Sequence, residues 1–311
     1  MALYAVFGQP ILHSKSPQMF RPLLDASDQY IRIRPASPEN IIQIVKALNI
    51  SGASITAPLK EKLLPLLDEV SEEAKSIGAV NCIRREENRI IGHNTDQKGV
   101  TGALEEAGLK LKGANILVLG AGGAAKAAAY GLSKAQANLF ISNRTTDSGK
   151  KLATKYNAEL IPWKQGGKTP WFDAVVSTIL PEAIPPYAGY MAYGCLLDAV
   201  YKPSLMSEHT RSRGIKIIPG ERWLIHQGLE AASFYISGKN DLSQKSTTTV
   251  KLEKGLKTKA SAENLRIFVF NKTSMKDFGS GDYDLIISGL GLNKKSIAAI
   301  IDEEKHLAFG C

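Results

Sequence analysis

The sequence predicts an α/β fold with two domains followed by a C-terminal extension. Short apolar runs alternate with amphipathic helical patterns along the first hundred residues, beginning with the run at 3–7. A glycine-rich turn after residue 119 then separates another strand pattern from a helix pattern. With 311 residues and 44% apolar content, the chain is long enough to bury two cores.

The first domain is predicted over residues 1–102. Its strand patterns lie at 3–7, 54–56 and 79–83, and its helix patterns lie at 38–48 and 71–77. An amphipathic pattern at 221–238 predicts a helix that returns the chain to this domain and completes it.

The second domain is predicted over 103–220, with a helix pattern at 100–107 leading into it. An apolar run at 116–119 is followed directly by a G-x-G-x-x-A turn that opens a helix of small residues. Gly120 suits a tight turn, Gly122 a close approach to a pyrophosphate, and Ala125 close packing of helix on strand. Further apolar runs, at 139–142, 172–177, 194–199 and 215–218, have the spacing of parallel strands.

This arrangement predicts a doubly wound Rossmann domain that binds a dinucleotide. A plain flexible turn is the alternative, and the strand and helix around the turn disfavour it. The candidate pyrophosphate contacts are Gly120, Gly122, Gly123, Ala124 and Ala125.

The residues after the second strand of this unit bear on the choice of cofactor. An NAD enzyme usually has an acidic residue there for the ribose 2′-hydroxyl, but this chain has Asn143, Arg144 and Thr145. A guanidinium suits a 2′-phosphate, so the sequence favours NADP over NAD. A solvated surface arginine is the alternative interpretation.

Four polar motifs lie at strand ends and loops of the first hundred residues, where α/β sheets present ligands. They are GQPILHSKSP at 8–17, TAPLK at 56–60, IGAVN at 77–81 and GHNTDQKG at 92–99. In order and spacing they resemble the motifs of the shikimate dehydrogenase family. The glycine-rich turn and the Asn-Arg-Thr sequence follow in their expected places, and the resemblance covers roughly residues 3–238.

The resemblance implies an NADP-dependent, reversible reduction of 3-dehydroshikimate to shikimate, with Lys60 and Asp96 as the catalytic pair. Carbonyl reduction needs a proton at oxygen as hydride reaches carbon, and a lysine beside a carboxylate can deliver it. Lys60 is the expected acid/base partner. Without the resemblance, an ordinary surface charge is the alternative interpretation of both residues.

The same resemblance implies further contacts with both ligands. Hydroxyls in a basic neighbourhood suit a carboxylate, and amides suit ring hydroxyls because they donate and accept in one plane. The implied substrate contacts are Ser14, Ser16, Thr56, Asn81, Tyr201 and Gln227. The implied cofactor contacts are Gly120, Gly122, Gly123, Ala124, Ala125, Asn143, Arg144, Thr145, Val200 and Gly220.

The chain departs from the family's pattern at several positions. Phe20 and Arg21 stand where the family usually has a His-Asn pair, and Ser54 replaces an asparagine before Thr56. On the cofactor side, 177–181 lacks the usual Asn-Ala-Thr and Gly-Met residues, and 220–223 lacks a glycine-methionine pair. A basic residue common after Asn-Arg-Thr is absent at Ser148, with Lys150 as a possible substitute.

These departures leave two alternatives open. One is a relative that acts on quinate or an amino-substituted analogue with NAD or NADP. The other is a non-catalytic regulatory protein that binds a dinucleotide.

Composition argues against several other classes of protein. The net charge is +9, but the basic residues are scattered, so no nucleic-acid partner is expected. No stretch approaches the roughly 18 uncharged apolar residues of a membrane-spanning helix, and the first residues do not resemble a signal peptide. We therefore expect a cytoplasmic monomer or homodimer that acts on a small molecule.

The cysteines and histidines do not suggest a metal site. Cys82, Cys195 and Cys311 are odd in number and widely separated, so reduced thiols are expected. His93 and His226 have no companions at metal-ligand spacing.

The C-terminal extension, 239–311, contains none of the predicted chemistry. Its polar first part, up to about residue 264, predicts a linker or flexible arm. Strand patterns at 265–271 and 283–290 and a helix pattern at 293–307 then predict a small added α/β element. A docking role for a partner, or the start of a second activity, is the alternative.

Overall fold

The computed structural model describes residues 1–164, 169–236, 245–256, 267–270, 285–288, 299–304 and 306. The chain divides into two compact units. The first is formed by Met1–Asn94 with Ala231–Cys311, and the second by Thr95–Glu230. The predicted limit at 102/103 falls within a helix, and the limit at 220/221 falls at the start of another.

The described residues contain fourteen strands. In chain order they are β1 Leu3–Phe7, β2 Gln29–Arg34, β3 Ile50–Ile55, β4 Glu69–Val70, β5 Cys82–Glu86, β6 Arg89–His93, β7 Asn115–Leu119, β8 Asn138–Ser142, β9 Glu159–Leu160, β10 Trp171–Ser177, β11 Ala192–Asp198, β12 Lys216–Ile218, β13 Ile267–Phe270 and β14 Leu285–Ser288.

The helices that connect these strands are mostly short. They are α1 Ser16–Phe20, α2 Pro38–Ala47, α3 Lys60–Leu63, α4 Glu72–Ile77, α5 Asp96–Glu106, α6 Gly123–Lys134, α7 Thr146–Lys155, α8 Leu205–Ser212, α9 Gly220–Tyr235 and α10 Lys245–Leu256. Residues 299–304 are helical as well. No helix in the described ranges is both long enough and apolar enough to cross a membrane.

The sheet of the first unit has the strand order β13-β14-β2-β1-β3-β5-β6-β4. The strand β1 pairs in parallel with β2 on one side and with β3 on the other, whereas β5 is antiparallel to both β3 and β6. The strand β1 coincides with the predicted run at 3–7, and all five of its residues are buried. Its apolar side chains pack with those of β3 and α2 in one core.

Strands β2, β4 and β6 of this sheet were not predicted. Strand β2 has no continuous apolar run, because Arg32 and Arg34 alternate with Ile31 and Ile33. Only 6% of Arg32 is exposed, and its guanidinium donates to the carbonyl of Ser14 from Nε at 3.0 Å and from Nη2 at 2.7 Å. A buried arginine is tolerated because its donors are satisfied locally.

The sheet of the second unit confirms the predicted Rossmann architecture. All six strands are parallel, in the order β12-β11-β10-β7-β8-β9, so the direction of winding reverses between β7 and β10. Apolar cores cover both faces of this sheet, as parallel strands require. The fold class, α/β with a doubly wound domain, is therefore confirmed.

The small residues of α6 allow it to pack closely on α5. A Cβ atom added at Gly131 would lie 2.8 Å from the backbone oxygen of Gln97, so only glycine fits there. The helix α5 begins at Asp96, four residues before the predicted start at Val100. The first turn of α5 is polar, so the apolar periodicity begins only later in the helix. The acidic Asp96 nevertheless suits the positive N-terminal end of a helix.

The predicted linker at the beginning of the extension is wrong for residues 245–256, which form α10. This helix packs on α1 and on the 3-10 turn Arg21–Leu23, and it buries Leu252 completely. The few apolar residues of this polar segment are too weak a sequence signal for a helix. Residues 237–244 and 257–266 of the predicted linker lie outside the described ranges.

The later part of the extension contains both predicted strands. Strand β14 pairs in parallel with β2, from Leu285 opposite Arg32 onward, and β13 pairs with β14. The predicted helix at 293–307 is described mainly over 299–304. The extension thus enlarges the sheet of the first unit.

We predict that Leu252→Ala lowers the free energy of unfolding by about 2–5 kcal/mol, because it leaves a cavity under α10. The matched control is Lys251→Ala on the exposed face of the same helix, which should stay within about 0.5 kcal/mol of wild type. Urea unfolding measures both variants. Equal stability of the two variants would contradict the docking of α10.

Candidate active site

The first candidate site element is the loop after β1 that carries two serines. The Oγ atoms of Ser14 and Ser16 lie 3.3 Å apart, and the backbone N–H of Ser16 donates to Ser14 Oγ at 3.3 Å. Arg32 donates to the backbone carbonyl of Ser14 and to Oε1 of Gln18. Two neighbouring hydroxyls on a segment that a buried guanidinium holds form an arrangement suited to a carboxylate.

Sequence reasoning did not identify Arg32. The alternation of isoleucine and arginine over residues 31–34 was the available signal, because it is typical of a strand and a charge within a strand needs local acceptors.

Thr56, Lys60 and Asn81 are held near one another in the first unit by backbone hydrogen bonds. The carbonyl of Asn81 accepts from Ile55 at 2.7 Å, next to Thr56. The carbonyl of Lys60, the first residue of α3, accepts from Val80 at 2.9 Å, next to Asn81. Only 3% of Asn81 is exposed, whereas Thr56 and Lys60 are half-buried. The predicted catalytic Lys60 and the predicted substrate contacts Thr56 and Asn81 therefore lie near the same end of β3.

In the second unit, Asp96, Gln227 and Tyr201 form another group. Asp96 is buried at the N-terminus of α5, and the neighbouring Thr95 hydroxyl donates to Gln227 Oε1 at 3.3 Å. Although 38% of Tyr201 is exposed, its pKa is raised, first by desolvation and then by the negative charges of Asp96 and Glu221. The pKa of Tyr201 therefore depends on the charge of Asp96, another predicted site residue of this unit.

Asp198 holds the loop that presents Val200 and Tyr201. Its carboxylate accepts from the hydroxyl of Ser204 and, at 3.5 Å, from the backbone N–H of Val200. Burial raises the pKa of Asp198, while these hydrogen bonds oppose the rise. A Cβ atom at Gly220 would lie 2.6 Å from the carbonyl oxygen of Asp198, so this glycine allows α9 to begin against the loop.

The glycine-rich turn fits a dinucleotide. Gly120 has a φ angle of +115°, which other residues rarely adopt, and its N–H donates to the carbonyl of Ser142 at 2.8 Å. A Cβ atom at Gly122 would meet no protein atom within 4 Å, so the fold itself does not require glycine there. This open space lies at the N-terminus of α6, whose first turn has no acidic residue. Such a turn suits a pyrophosphate.

The turn after β8 presents the predicted 2′-phosphate contacts. Asn143 Nδ2 donates to the carbonyl of Thr145 at 2.8 Å, which shapes the turn around Arg144. Arg144 and Thr145 are exposed, and Thr145 is the N-cap of α7. Lys150, the possible substitute for a basic residue at Ser148, is exposed on the same helix.

Two alanines follow the glycine-rich turn at the start of α6. Ala124 is half-buried and Ala125 is fully buried.

The departures at Phe20 and Ser54 belong to one buried cluster. The ring of Phe20 stacks on Tyr30 at 5.0 Å between centroids. The hydroxyls of Tyr30, Ser54 and Tyr235 lie within 2.9–3.0 Å of one another. Desolvation raises the pKa of both tyrosines, so their hydroxyls stay protonated and can donate. The two altered positions are therefore linked through Tyr30.

The other polar residues of the motifs have structural partners. His93 Nδ1 lies 2.7 Å from the hydroxyl of Ser71, and His226 Nε2 lies 3.1 Å from Glu106. Cys82 and Cys195 are buried free thiols, while Cys311 lies outside the described residues. Among the described residues, no group of three or more His, Cys, Asp and Glu side chains could hold a metal ion.

Comparisons with known proteins found family matches in each of the two units. The model of the shikimate dehydrogenase substrate binding domain matches residues 6–83, and that of shikimate / quinate 5-dehydrogenase matches residues 102–170. Shikimate dehydrogenase (NADP(+)) of Desulfitobacterium hafniense strain Y51 is 34% identical over an alignment of 253 positions, which covers 76% of this chain and 93% of that relative. The chain belongs to the shikimate dehydrogenase family. The resemblance noted in the sequence is thereby confirmed.

Solved structures of the shikimate dehydrogenase family match in fold as well. Shikimate 5-dehydrogenase of Thermus thermophilus, solved with NADP(H) and shikimate, has a TM-score of 0.69 and 31% identity. The match covers 82% of this chain and all of that one, so part of this chain has no counterpart there. The 5-ketofructose reductase of Gluconobacter sp. strain CHM43 also matches, with a TM-score of 0.65 and 25% identity over 81% of this chain and 98% of that one.

We predict that only one of two alanine substitutions in the glycine-rich turn destabilises the protein. Gly120→Ala should lower the free energy of unfolding by about 1–3 kcal/mol, because its φ is positive and its Cβ would collide with Thr178. Gly122→Ala is the matched control, and its extended backbone and open surroundings should leave stability within about 0.5 kcal/mol. Chemical unfolding measures both. Equal losses would contradict the turn geometry.

Proposed function

We propose that this protein catalyses the NADP-dependent, reversible reduction of 3-dehydroshikimate to shikimate. The observation that carries the proposal is the pair of serine hydroxyls, Ser14 and Ser16, which lie 3.3 Å apart on a segment whose backbone is held by the buried guanidinium of Arg32. An acidic ring substrate needs such a carboxylate site. The named activity of the curated relatives, shikimate dehydrogenase (NADP(+)), supports the same substrate.

We assign the proton transfer to Lys60. When bound, the nicotinamide supplies hydride to the carbonyl carbon or takes it back in the reverse reaction. The ammonium of Lys60 gives its proton to the developing alkoxide oxygen during reduction, and its neutral amine accepts that proton during oxidation. Asp96 accepts a hydrogen bond from the reacting hydroxyl and orients it. Thr56, Asn81, Tyr201 and Gln227 are the proposed contacts to the rest of the ring.

The second unit is the proposed cofactor domain. Gly122, Gly123, Ala124 and Ala125, at the start of α6, would hold the pyrophosphate with backbone N–H groups. Asn143, Arg144 and Thr145 would hold the 2′-phosphate, and Val200 and Gly220 would lie along the nicotinamide side. Gly120 provides the tight turn that brings this backbone close. We propose the first unit as the substrate domain.

A second candidate is a related cyclic polyol acid, such as quinate or an amino-substituted analogue. It is favoured by Ser54 and Phe20, whose side chains are engaged with the Tyr30 cluster where the family has polar residues. The match to a 5-ketofructose reductase also shows that this fold serves other carbonyl substrates. Comparing kcat/KM for shikimate and quinate, each with NADP and NAD, decides between these substrates. Cofactor binding without any turnover would favour the regulatory alternative.

We also propose a cytoplasmic location and a monomeric or homodimeric state. The buried free thiols Cys82 and Cys195 suit a reducing compartment. Light scattering on the purified full chain would determine the oligomeric state.

We predict that Lys60→Ala lowers kcat about 10²–10⁴-fold, because it removes the group to which we assign the proton transfer. Asp96→Asn, which keeps the shape of the side chain and removes its charge, should also lose most of kcat. Absorbance of the reduced cofactor in the presence of shikimate measures both. Lys62→Ala on α3 and Glu105→Gln on α5 are exposed controls on the same helices and should behave as wild type. Wild-type kcat in Lys60→Ala would refute the assignment.

We predict that Arg144→Ala raises KM for NADP about tenfold, because it removes a charged hydrogen bond to the 2′-phosphate. KM for NAD, which lacks that phosphate, should not change. The control is Arg211→Ala, an exposed arginine on α8 of the same unit. An equal rise in KM for both cofactors would show that Arg144 does not read the 2′-phosphate.

A further inference from the structure

The C-terminal extension places one carboxylate deep in the first unit. Glu304 lies in the helical segment 299–304, and only 1% of it is exposed. A buried glutamate is rare unless it is paired and hydrogen-bonded, because its charge is costly to remove from water. Its contacts therefore indicate what it does.

Both carboxylate oxygens of Glu304 bind the loop after β1. Oε2 accepts from the backbone N–H of Ile11 at 2.8 Å and from that of Leu12 at 2.7 Å. Oε1 lies 3.0 Å from the same N–H of Ile11 and accepts from Arg34 Nη1 at 2.8 Å. Charge-assisted hydrogen bonds to consecutive backbone amides fix a loop more firmly than neutral ones.

The loop held in this way is the one that carries the proposed carboxylate site. The carbonyl of Ile11 accepts from the backbone N–H of Ser14 at 2.9 Å, so a single turn links the Glu304 contact to Ser14. Arg32 holds the other side of the loop through the carbonyl of Ser14. The loop thus has an acidic support on one side and a basic support on the other.

The sheet explains how a residue so far along the chain reaches this position. Strand β14 of the extension pairs with β2, the strand that carries Arg32 and Arg34. Arg34 then pairs with Glu304 and also, through Nη2 at 2.8 Å, with the half-exposed Glu303. Glu303 therefore carries the same charge as Glu304 and contacts the same arginine, Arg34, but it does so from the solvent side.

We propose that Glu304 is a positioning residue that fixes the loop of Ser14 and Ser16 for the substrate carboxylate. The C-terminal extension is then a supporting part of the substrate site. This inference rests on the proposed role of the two serines. The match to the Desulfitobacterium hafniense relative covers 93% of that protein but only 76% of this chain, so part of this chain lies outside the match.

The test compares Glu304→Gln with Glu303→Gln in the full-length chain. Both remove one negative charge beside Arg34, but only the first weakens the hydrogen bonds to Ile11 and Leu12. We expect Glu304→Gln to raise KM for shikimate about tenfold, with KM for NADP unchanged, since a charged hydrogen bond is lost at the substrate loop alone. Glu303→Gln should leave both KM values as in wild type.

The methyl ester of shikimate, which has no carboxylate charge, separates positioning from general destabilisation. If Glu304 acts through the carboxylate site, turnover of the ester should be equally slow in wild type and in Glu304→Gln. Equal rises in KM for shikimate, its ester and NADP would instead overturn the proposal, as would an unchanged KM for shikimate in Glu304→Gln.

Amide hydrogen exchange tests the loop without any assay of activity. The N–H groups of Ile11 and Leu12 should be protected in wild type and Glu303→Gln and should exchange faster in Glu304→Gln. Unchanged protection in Glu304→Gln would overturn the proposal. If wild type does not turn over shikimate, the proposed function fails, while the exchange measurement still decides whether Glu304 holds the loop.

Discussion

Parallel pairing on both sides of one central strand is the constraint on which each unit depends. Strand β1 has β2 and β3 beside it, and β7 has β8 and β10 beside it. Because these neighbours run the same way, their carboxyl ends finish at one edge of the sheet, and the loops that follow them meet there. The serine loop follows β1 and the glycine-rich turn follows β7. The burial of both central strands therefore sets the position of the polar residues that we assign to function.

Buried charges then hold the loops at these edges. Arg32 donates to the carbonyl of Ser14, Asp198 accepts from the N–H of Val200, and Glu304 accepts from the N–H groups of Ile11 and Leu12. Each charge would be costly in the interior without partners, and each uses loop backbone to satisfy part of its hydrogen-bonding capacity. The cost of burying the charge thus favours one loop conformation. This explains why polar residues interrupt strands and helices that otherwise bury apolar side chains.

Much of the fold was predictable because the signals are local. The run of β1, the turn from β7 into α6, and five of the six strands of the second sheet follow from short apolar patterns and glycine positions, whereas the two-residue β9 was not predicted. The serine loop, Lys60 and Asp96 could be singled out because their motifs are contiguous. Three of the missed features have a common cause. Strand β2 contains arginines, α5 begins in a polar turn, and α10 has one fully buried leucine, so each depends on partners elsewhere in the chain.

The sequence by itself determined the family, the Rossmann architecture and the identity of the residues that could carry the chemistry, because motif order and spacing are properties of the chain. Only the tertiary structure decided which distant residues support them. It brought Glu304 to the loop of Ile11, joined Phe20 and Ser54 through Tyr30, and placed the extension on β2. Such contacts join residues far apart in the chain, and no local pattern encodes them, since they form only when the sheet is assembled.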